Sequence, residues 1–379
     1  MSRWTRYIER AEELVTRYSG DTPLAPFLKD YFREHRQMGA TDRRYVSDLV
    51  YDFYRLGHAA GTLSIPARLI LGYHRCTAAS GPLIDALKAE GVLDTDLSSV
   101  PFFPGDIFPW KSRLSAGIDG EAFSESHLRQ PEVFIRVRPG YADLVRETLT
   151  QKGIRFGEAP PNGLALPPHT ALQGVLPANQ SYVVQDINSQ KVGELMTEAF
   201  AGLGPKPSVW DCCAASGGKS ILAKDLLPPV RLTVSDIRSS ILHNLDKRFA
   251  EAGIRYERSF TADLSQPLRM PGGFDLVMAD VPCSGSGTWA RTPEQLYFFR
   301  ETDIAGFAER QRSLLSNVLP AVRPGGFLLL ITCSVFREEN EDNVAHLEKQ
   351  GCRLVQQRLF AGYNDRADTL FGALLQKDA

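Results

Sequence analysis

The sequence predicts an α/β protein whose second half is a seven-stranded, mostly parallel sheet covered on both faces by helices. An all-helical region and a small α+β module precede that sheet. Three observations lead to this prediction. Apolar residues recur at three- and four-residue spacing over about the first 93 residues. A strand, a helix and a short strand are predicted within 133–156, and from about residue 172 strand-like apolar runs alternate with helices.

The first region is predicted to be a bundle of helices packed on one another. Its apolar stripes comprise Tyr7, Ala11, Leu14, Val15, Val46, Leu49, Val50, Phe53 and Tyr54. A stretch rich in proline and aromatic residues follows at 100–110 and is typical of an ordered linker. We therefore assign residues 1–115 to a helical domain.

The second region, 116–171, is predicted to be the small α+β module. Residues 133–138 form its first strand, 141–152 its helix and 154–156 a second short strand. The catalytic domain is assigned to 172–379. Its predicted strands are 209–212, 232–235, 256–260, 276–279, 327–331, 353–359 and 370–375.

Composition restricts the classes of protein. The 379 residues carry a net charge of −2, with 43% hydrophobic and 23% charged residues, as in ordinary globular proteins. The six cysteines include no Cys-x-x-Cys pair, and no histidine lies at ligand spacing from the adjacent Cys212 and Cys213, so we expect no metal site. The sequence shows no signal-peptide pattern and no apolar run near 18 residues. We expect a cytoplasmic protein with no membrane attachment.

Three short motifs carry the chemistry. They are DCCAASGGK at 211–219, DVPCSGSG at 280–287, and TCS at 332–334 with EENE at 338–341. The first joins a strand to a helix through glycines, which let the backbone approach a ligand. The other two place Cys283 and Cys333 at the ends of strand-like runs, where a thiolate can act as a nucleophile.

Together and in this order, the motifs resemble those of the RsmB/Nop/Sun family of RNA (cytosine-5) methyltransferases. The resemblance implies a class I methyltransferase sheet that binds S-adenosylmethionine. It places Asp236 on the ribose and Asp263 on the adenine amino group, with Asp280 where the methionine end meets the base. The remaining cofactor-binding residues that it implies are Cys213, Ala214, Ala215, Ser216, Gly217, Gly218, Lys219 and Arg238.

A phosphate-binding P-loop is the alternative interpretation of the run Gly218-Lys219-Ser220. That motif requires a glycine five residues before Gly218, where this chain has Cys213. A strand-terminal aspartate is often only a turn residue. Carboxylates follow several successive strands here, Asp211 among them, and turn formation alone does not readily explain such a recurrence.

The resemblance also assigns roles to the thiols. Cys333 is the nucleophile that adds to carbon 6 of cytosine, and Cys283 assists release of the product. The reverse assignment stays open, because DNA cytosine methyltransferases attack with the cysteine of their Pro-Cys motif. Asp280 is a candidate to hydrogen-bond or protonate the base, and Lys219 to add positive charge. Helix capping suffices to explain Glu338, Glu339 and Asn340.

The predicted partner is RNA, with ribosomal RNA favoured because the helical region resembles the NusB-like domain of bacterial family members. Transfer RNA and a non-catalytic RNA-binding or ribosome-assembly factor are the alternatives. Candidate RNA contacts in the helical region are Arg33, Arg36, Arg43 and Arg44, although solvated helix faces explain these residues equally well. In the small module, the candidates are Arg136 and Arg138 on its first strand. We expect a monomer.

Overall fold

The computed structural model describes residues 2–77, 82–91, 97, 100–267 and 273–379. The expected end of the helical stripes near residue 93 lies outside these ranges. The chain forms two compact units. The helical unit comprises Met1–Ser112, Ile118–Gln130 and Thr288–Glu301, and the sheet unit comprises Arg113–Gly117, Pro131–Gly287 and Thr302–Ala379. The predicted three-domain division remains a proposal.

The helical unit confirms the all-α prediction for the first region. Its described helices are Arg3–Arg17, Leu24–Glu34, Ala40–Arg55, Ile65–Cys76, Pro82–Ala89, Gly120–Ser126 and Pro293–Phe298. Every apolar residue of the two predicted stripes is buried in one common core. The guanidinium of Arg55 is also buried and donates to the carbonyl oxygens of His127 and Ala290, each at 2.9 Å. These bonds join the three sequence segments of the unit.

The small module is an antiparallel sheet of four strands with one helix, Ala142–Gln151. The strands are β1 (Val133–Val137), β2 (Gly157–Ala159), β3 (Gly163–Leu166) and β4 (Tyr182–Val184), in the order β2-β3-β1-β4. The prediction of a strand at 154–156 is wrong, because the chain there turns out of the helix and pairs only from Gly157. The sheet also takes β4 from beyond the predicted boundary at residue 171.

The large sheet contains all seven predicted strands. They are β5 (Ser208–Asp211), β6 (Arg231–Asp236), β7 (Arg258–Thr261), β8 (Phe274–Asp280), β9 (Val322–Thr332), β10 (Cys352–Phe360) and β11 (Leu370–Lys377). Their order is β10-β11-β9-β8-β5-β6-β7, and only β11 runs antiparallel to its neighbours. This is the class I methyltransferase fold.

Helices cover both faces of the large sheet. Successive side chains of a strand point to opposite faces, and both sets are buried here. On one face, Leu276 and Met278 pack with the helices Gly193–Ala201, Gly218–Leu226 and Ser239–Ala252. On the other face, Val277 and Ala279 pack with Thr302–Val318 and Glu341–Glu348. Within the described ranges, no helix has both the length and the hydropathy needed to cross a bilayer.

Buried ion pairs join the small sheet to the large one. Arg136 and Arg138 on and just after β1 both contact the carboxylate of Asp225, which lies on the helix Gly218–Leu226. The Arg138–Asp225 distance is 2.8 Å, and the Asp225 side chain is only 8% exposed. The two arginines therefore do not form an exposed face, and the expectation that they contact RNA is wrong.

We predict that Asp225→Ala lowers the free energy of unfolding by about 3–5 kcal/mol, because it leaves two buried guanidinium groups without a counter-charge. Urea denaturation followed by tryptophan fluorescence measures this loss. The matched control is Glu158→Ala, which breaks the exposed pair with Arg146 and is expected to cost less than about 1 kcal/mol. Equal losses in the two variants would contradict the structural role of Asp225.

Candidate active site

A cavity of about 500 Å³ lies at the carboxyl ends of the central parallel strands. That volume is in the range of small-molecule sites. The predicted site residues that line it are Cys213, Ala215, Asp236, Arg238, Asp263, Asp280, Cys283 and Cys333. The predicted residues Ala214, Ser216, Gly217, Gly218 and Lys219 do not line it. The structure thus brings both thiols and three carboxylates to one cavity.

In the loop after β5, Gly217 lies against a neighbouring helix. Gly217 has a φ of +84°, and a Cβ atom there would lie 2.5 Å from the ring of Phe249. The absence of a side chain at Gly217 therefore permits close helix–loop packing. Ser216 is exposed, and its carbonyl oxygen accepts a hydrogen bond from Arg248 at 2.8 Å.

Asp236 ends β6 and shapes that same loop. Its Oδ2 accepts the backbone N–H of Ala215 at 3.0 Å, and its Oδ1 accepts the backbone N–H of Arg238 at 3.0 Å. Ala215 has a φ of +45°, a left-handed conformation that a non-glycine residue adopts only when it is held there. Oδ1 also accepts from Arg238 Nε at 3.1 Å, so the second lone pair of Oδ2 is the one that can accept from a ligand hydroxyl.

Asp211 lies behind the cavity rather than in its wall. Its carboxylate is buried and accepts a hydrogen bond from the Ser220 hydroxyl at 2.6 Å. Burial raises the pKa of Asp211 to about 7. Of the four strand-terminal carboxylates in the sequence prediction, Asp211 is therefore a support of the loop, and the other three reach the cavity.

The far end of the cavity combines a carboxylate with apolar walls. Asp263 accepts from the hydroxyl of Ser265 at 2.7 Å and from its backbone N–H at 3.0 Å, and these bonds hold the pKa of Asp263 below its usual value. Ile237, Leu264 and Leu314 supply flat apolar surface nearby. Sequence reasoning missed Ile237 and Leu314. Ile237 directly follows Asp236, whereas Leu314 has only the pattern of a helix core residue.

The two thiols are in contact at the opposite end. The parallel register pairs Asp280 on β8 with Ile331 on β9, so the loops that follow emerge side by side. The Sγ atoms of Cys283 and Cys333 are 3.2 Å apart. The hydrogen bond to Cys333, together with burial, raises the pKa of the Cys283 thiol.

An ion pair adjoins the thiols. Lys219 Nζ lies 2.7 Å from Asp280 Oδ2, and the Lys219 side chain is the more buried of the two. Burial alone would lower the pKa of Lys219, but the charge and hydrogen bond of Asp280, with smaller contributions from Cys333 and Asp211, together outweigh that effect and the pKa is raised. Asp280 faces the cavity, and Lys219 supports it from behind.

Glu339 departs most from its predicted role. It is fully buried in a turn before the helix Glu341–Glu348 and accepts from the backbone N–H of Ser284 and the hydroxyl of Ser334, at 2.9 and 2.6 Å. Asn340 is also buried and donates to the Ser334 carbonyl oxygen at 2.9 Å. Capping of the helix therefore does not explain either residue. The TCS…EEN spacing carried the signal, but only the fold reveals the contacts.

Sequence comparison finds a methyltransferase family model that matches the part of the chain containing this cavity. Residues 202–366 match the family model described as 16S rRNA methyltransferase RsmB/F. Residues 202–366 therefore form a methyltransferase domain of the RsmB/Nop/Sun family. The chain is 29% identical over 326 residues to ribosomal RNA small subunit methyltransferase B of Xylella fastidiosa. The alignment covers 81% of this chain and 74% of that protein.

Two solved structures share the fold. The crystal structure of PH0851 covers 99% of this chain and 98% of its own, with a TM-score of 0.71 at 20% identity. NSun6 from Pyrococcus horikoshii, solved with SFG, covers 69% of this chain and 96% of its own, with a TM-score of 0.59 at 16% identity. The cofactor of this family is S-adenosylmethionine, so the P-loop alternative is set aside.

The cavity suits that cofactor in size and in chemistry. Carboxylates at Asp236 and Asp263 can accept from ribose hydroxyls and an adenine amino group, and the apolar walls between them can hold a purine ring. Asp280 and the thiols lie at the end where a methyl group must meet a base.

We predict that Asp236→Ala weakens binding of S-adenosylmethionine roughly ten- to a hundredfold, since a hydrogen bond to a charged group contributes about 1.5–3 kcal/mol. Isothermal titration calorimetry measures the dissociation constant. Asp246→Asn is the control, because Asp246 is exposed, contacts Tyr256 and does not line the cavity. Unchanged affinity in Asp236→Ala would exclude Asp236 as a cofactor ligand.

Proposed function

We propose that this chain methylates carbon 5 of a cytosine in ribosomal RNA through a covalent adduct between Cys333 and the base. The observation that carries the proposal is the pair of thiols, 3.2 Å apart, beside the Lys219–Asp280 ion pair at one end of the cavity. The name of the Xylella fastidiosa relative and the family description support ribosomal RNA as the substrate.

The reaction needs a nucleophile because carbon 5 of cytosine attacks an electrophile poorly while the ring is aromatic. Addition of a thiolate to carbon 6 forms a C–S bond and turns carbon 5 into an enamine carbon. The electron pair displaced toward the ring is neutralised when N3 gains a proton. Asp280 lines the cavity and is partly exposed, so as a carboxylic acid it can donate this proton to N3 and take it back when the Cys333 thiolate leaves, while Lys219 holds it in place from behind.

The position of Lys219 supports Cys333 as the attacking thiol, because Cys333 follows Asp280 among the groups that raise the pKa of Lys219. The 3.2 Å contact also allows Cys283 to donate a hydrogen bond to the Cys333 sulfur and stabilise a thiolate there. A thiolate is the nucleophilic form, so the residue that accepts this bond is the better nucleophile. Either sulfur can be the donor in this contact, so the cysteine variants described below decide between the two assignments.

Cys283 then acts in product release. The bound cofactor supplies the electrophilic methyl group that carbon 5 takes up. Once Cys333 is a neutral thioether, its negative charge no longer raises the pKa of Cys283, which can then lose its proton more easily. As a thiolate, Cys283 can remove the proton from carbon 5. The C5–C6 double bond re-forms, and the Cys333 thiolate leaves.

We predict opposite outcomes for the two cysteine variants. Cys333→Ala should yield neither methylated RNA nor a covalent complex, because the adduct cannot form. Cys283→Ala should form the adduct and transfer the methyl group but fail to release it, so a protein–RNA complex should persist on a denaturing gel. The double variant should lose that complex. Small-subunit ribosomal RNA and transfer RNA, assayed in parallel with labelled methyl donor, identify the substrate.

The matched control is Cys352→Ala, which removes a buried thiol on β10 that does not line the cavity. Its turnover should equal that of the unmodified chain, provided that thermal melting shows it to be folded. A complex in Cys333→Ala but not in Cys283→Ala would reverse the two roles. Free turnover by both single variants would refute the covalent mechanism, and methylation of transfer RNA alone would reassign the substrate.

A further inference from the structure

We propose that Glu339 is the positioning residue that sets the spacing between the two thiols. The inference rests on the proposed two-thiol mechanism and deepens it. Glu339 does not line the cavity, and its carboxylate instead contacts the residues that directly follow each cysteine. One oxygen accepts from the Ser284 backbone N–H at 2.9 Å, and the other accepts from the Ser334 hydroxyl at 2.6 Å.

These two contacts join loops that lie beyond the paired part of the sheet. The β8–β9 ladder ends at Asp280 and Ile331, so the backbone pairing of the two strands does not extend to either cysteine. A single carboxylate that bonds both loops therefore limits how far the sulfur atoms can move apart. Cross-loop contacts between the Ser284 and Ser334 hydroxyls, at 3.2 Å, and from the Gly287 N–H to the Cys333 carbonyl, at 2.8 Å, act in the same direction.

The position of the carboxylate is itself fixed from the helix side. Gln311 on the helix Thr302–Val318 donates to Glu339 Oε2 at 2.8 Å and to the Pro282 carbonyl oxygen at 3.0 Å. Asn343 donates to the Gln311 side-chain oxygen at 2.7 Å and to the Glu339 carbonyl oxygen at 2.8 Å. Glu339, Gln311 and Asn343 are all at most 1% exposed. The carboxylate is thus held in place by a buried hydrogen-bond network.

A carboxylate suits this position because it offers acceptors on two sides at once. An apolar side chain there would leave the Ser284 N–H and one N–H of the Gln311 amide without an acceptor in a buried site. A glutamine keeps the shape and one acceptor oxygen, and its amide can donate to the Ser334 hydroxyl, which can also accept. Glu339→Leu should therefore release the loops, whereas Glu339→Gln should largely hold them.

The test measures the thiol spacing directly, without RNA or cofactor. The full chain is treated with diamide, and the Cys283–Cys333 disulfide is quantified by mass spectrometry of alkylated peptides. Each thiol loses its proton, an S–S bond forms, and the N=N bond of diamide takes up two electrons and two protons to become a hydrazine. Glu339→Leu should form this disulfide at least about tenfold more slowly than the unmodified chain, and Glu339→Gln at nearly the same rate.

Two further variants keep the test decisive. Ser334→Ala removes the hydroxyl that bonds Glu339 and Ser284 but keeps the Glu339–Ser284 N–H contact. It should slow the disulfide less than Glu339→Leu, so it replaces that variant if the latter does not fold. Glu294→Leu removes a buried glutamate of the helical unit that accepts from the Leu24 N–H, and it should leave the rate unchanged. In methylation assays, Glu339→Leu should lower kcat about tenfold or more with little change in KM for RNA.

An undiminished disulfide rate in folded Glu339→Leu and in Ser334→Ala would overturn the proposal. So would failure of the unmodified chain to form the disulfide, because the thiols would then not be in contact. Absence of methylation by the unmodified chain would refute the proposed function instead. The disulfide rates would still decide the role of Glu339, so the two failures are distinguishable.

Discussion

The parallel pairing of β8 with β9 is the constraint on which the site depends. It brings the loops that carry Cys283 and Cys333 to the same edge of the sheet, although 50 residues separate them in sequence. The same edge carries Asp236 on β6 and the loop that follows β5. Because parallel strands present their carboxyl ends together, one sheet edge can hold a nucleoside at one end and two thiols at the other.

Buried polar groups then hold that edge in shape. Asp236 retains Ala215 in a left-handed conformation, Asp211 takes the Ser220 hydroxyl, and Glu339 bonds both thiol loops. A buried carboxylate is costly unless it is hydrogen-bonded, and each of these accepts at least one bond from a neighbouring element or loop. The loops beyond the strands are therefore positioned by side chains as much as by the backbone ladder.

The seven strands of the large sheet were predictable because most of them are runs rich in β-branched, aliphatic or aromatic residues and are bounded by turns. The motif positions were predictable as well, and the cavity gathers Asp236, Asp263, Asp280 and both cysteines as expected. The prediction of a strand at 154–156 was wrong because its apolar residues pack into the small module's core without joining the ladder.

Features that depend on contacts distant in sequence could not be predicted from local patterns. Arg136 and Arg138 have the alternation of an exposed strand face, and nothing local indicates that Asp225 lies beside them. The segment Thr288–Glu301 follows the Cys283 motif directly, yet it belongs to the helical unit. Glu339 has the pattern of a helix start, and its role depends on Ser284, a residue 55 positions earlier.

The proposed mechanism requires Cys333 to bond to carbon 6 of a cytosine whose carbon 5 is methylated. The most direct measurement uses substrate RNA that contains 5-fluorocytidine, since fluorine at carbon 5 cannot leave as a proton and the adduct is trapped. The complex formed with S-adenosylmethionine is digested, and the modified peptide is sequenced by mass spectrometry. We expect a methylated fluorocytidine nucleotide on Cys333. The same nucleotide on Cys283, or methylated RNA with no trapped peptide, would contradict it.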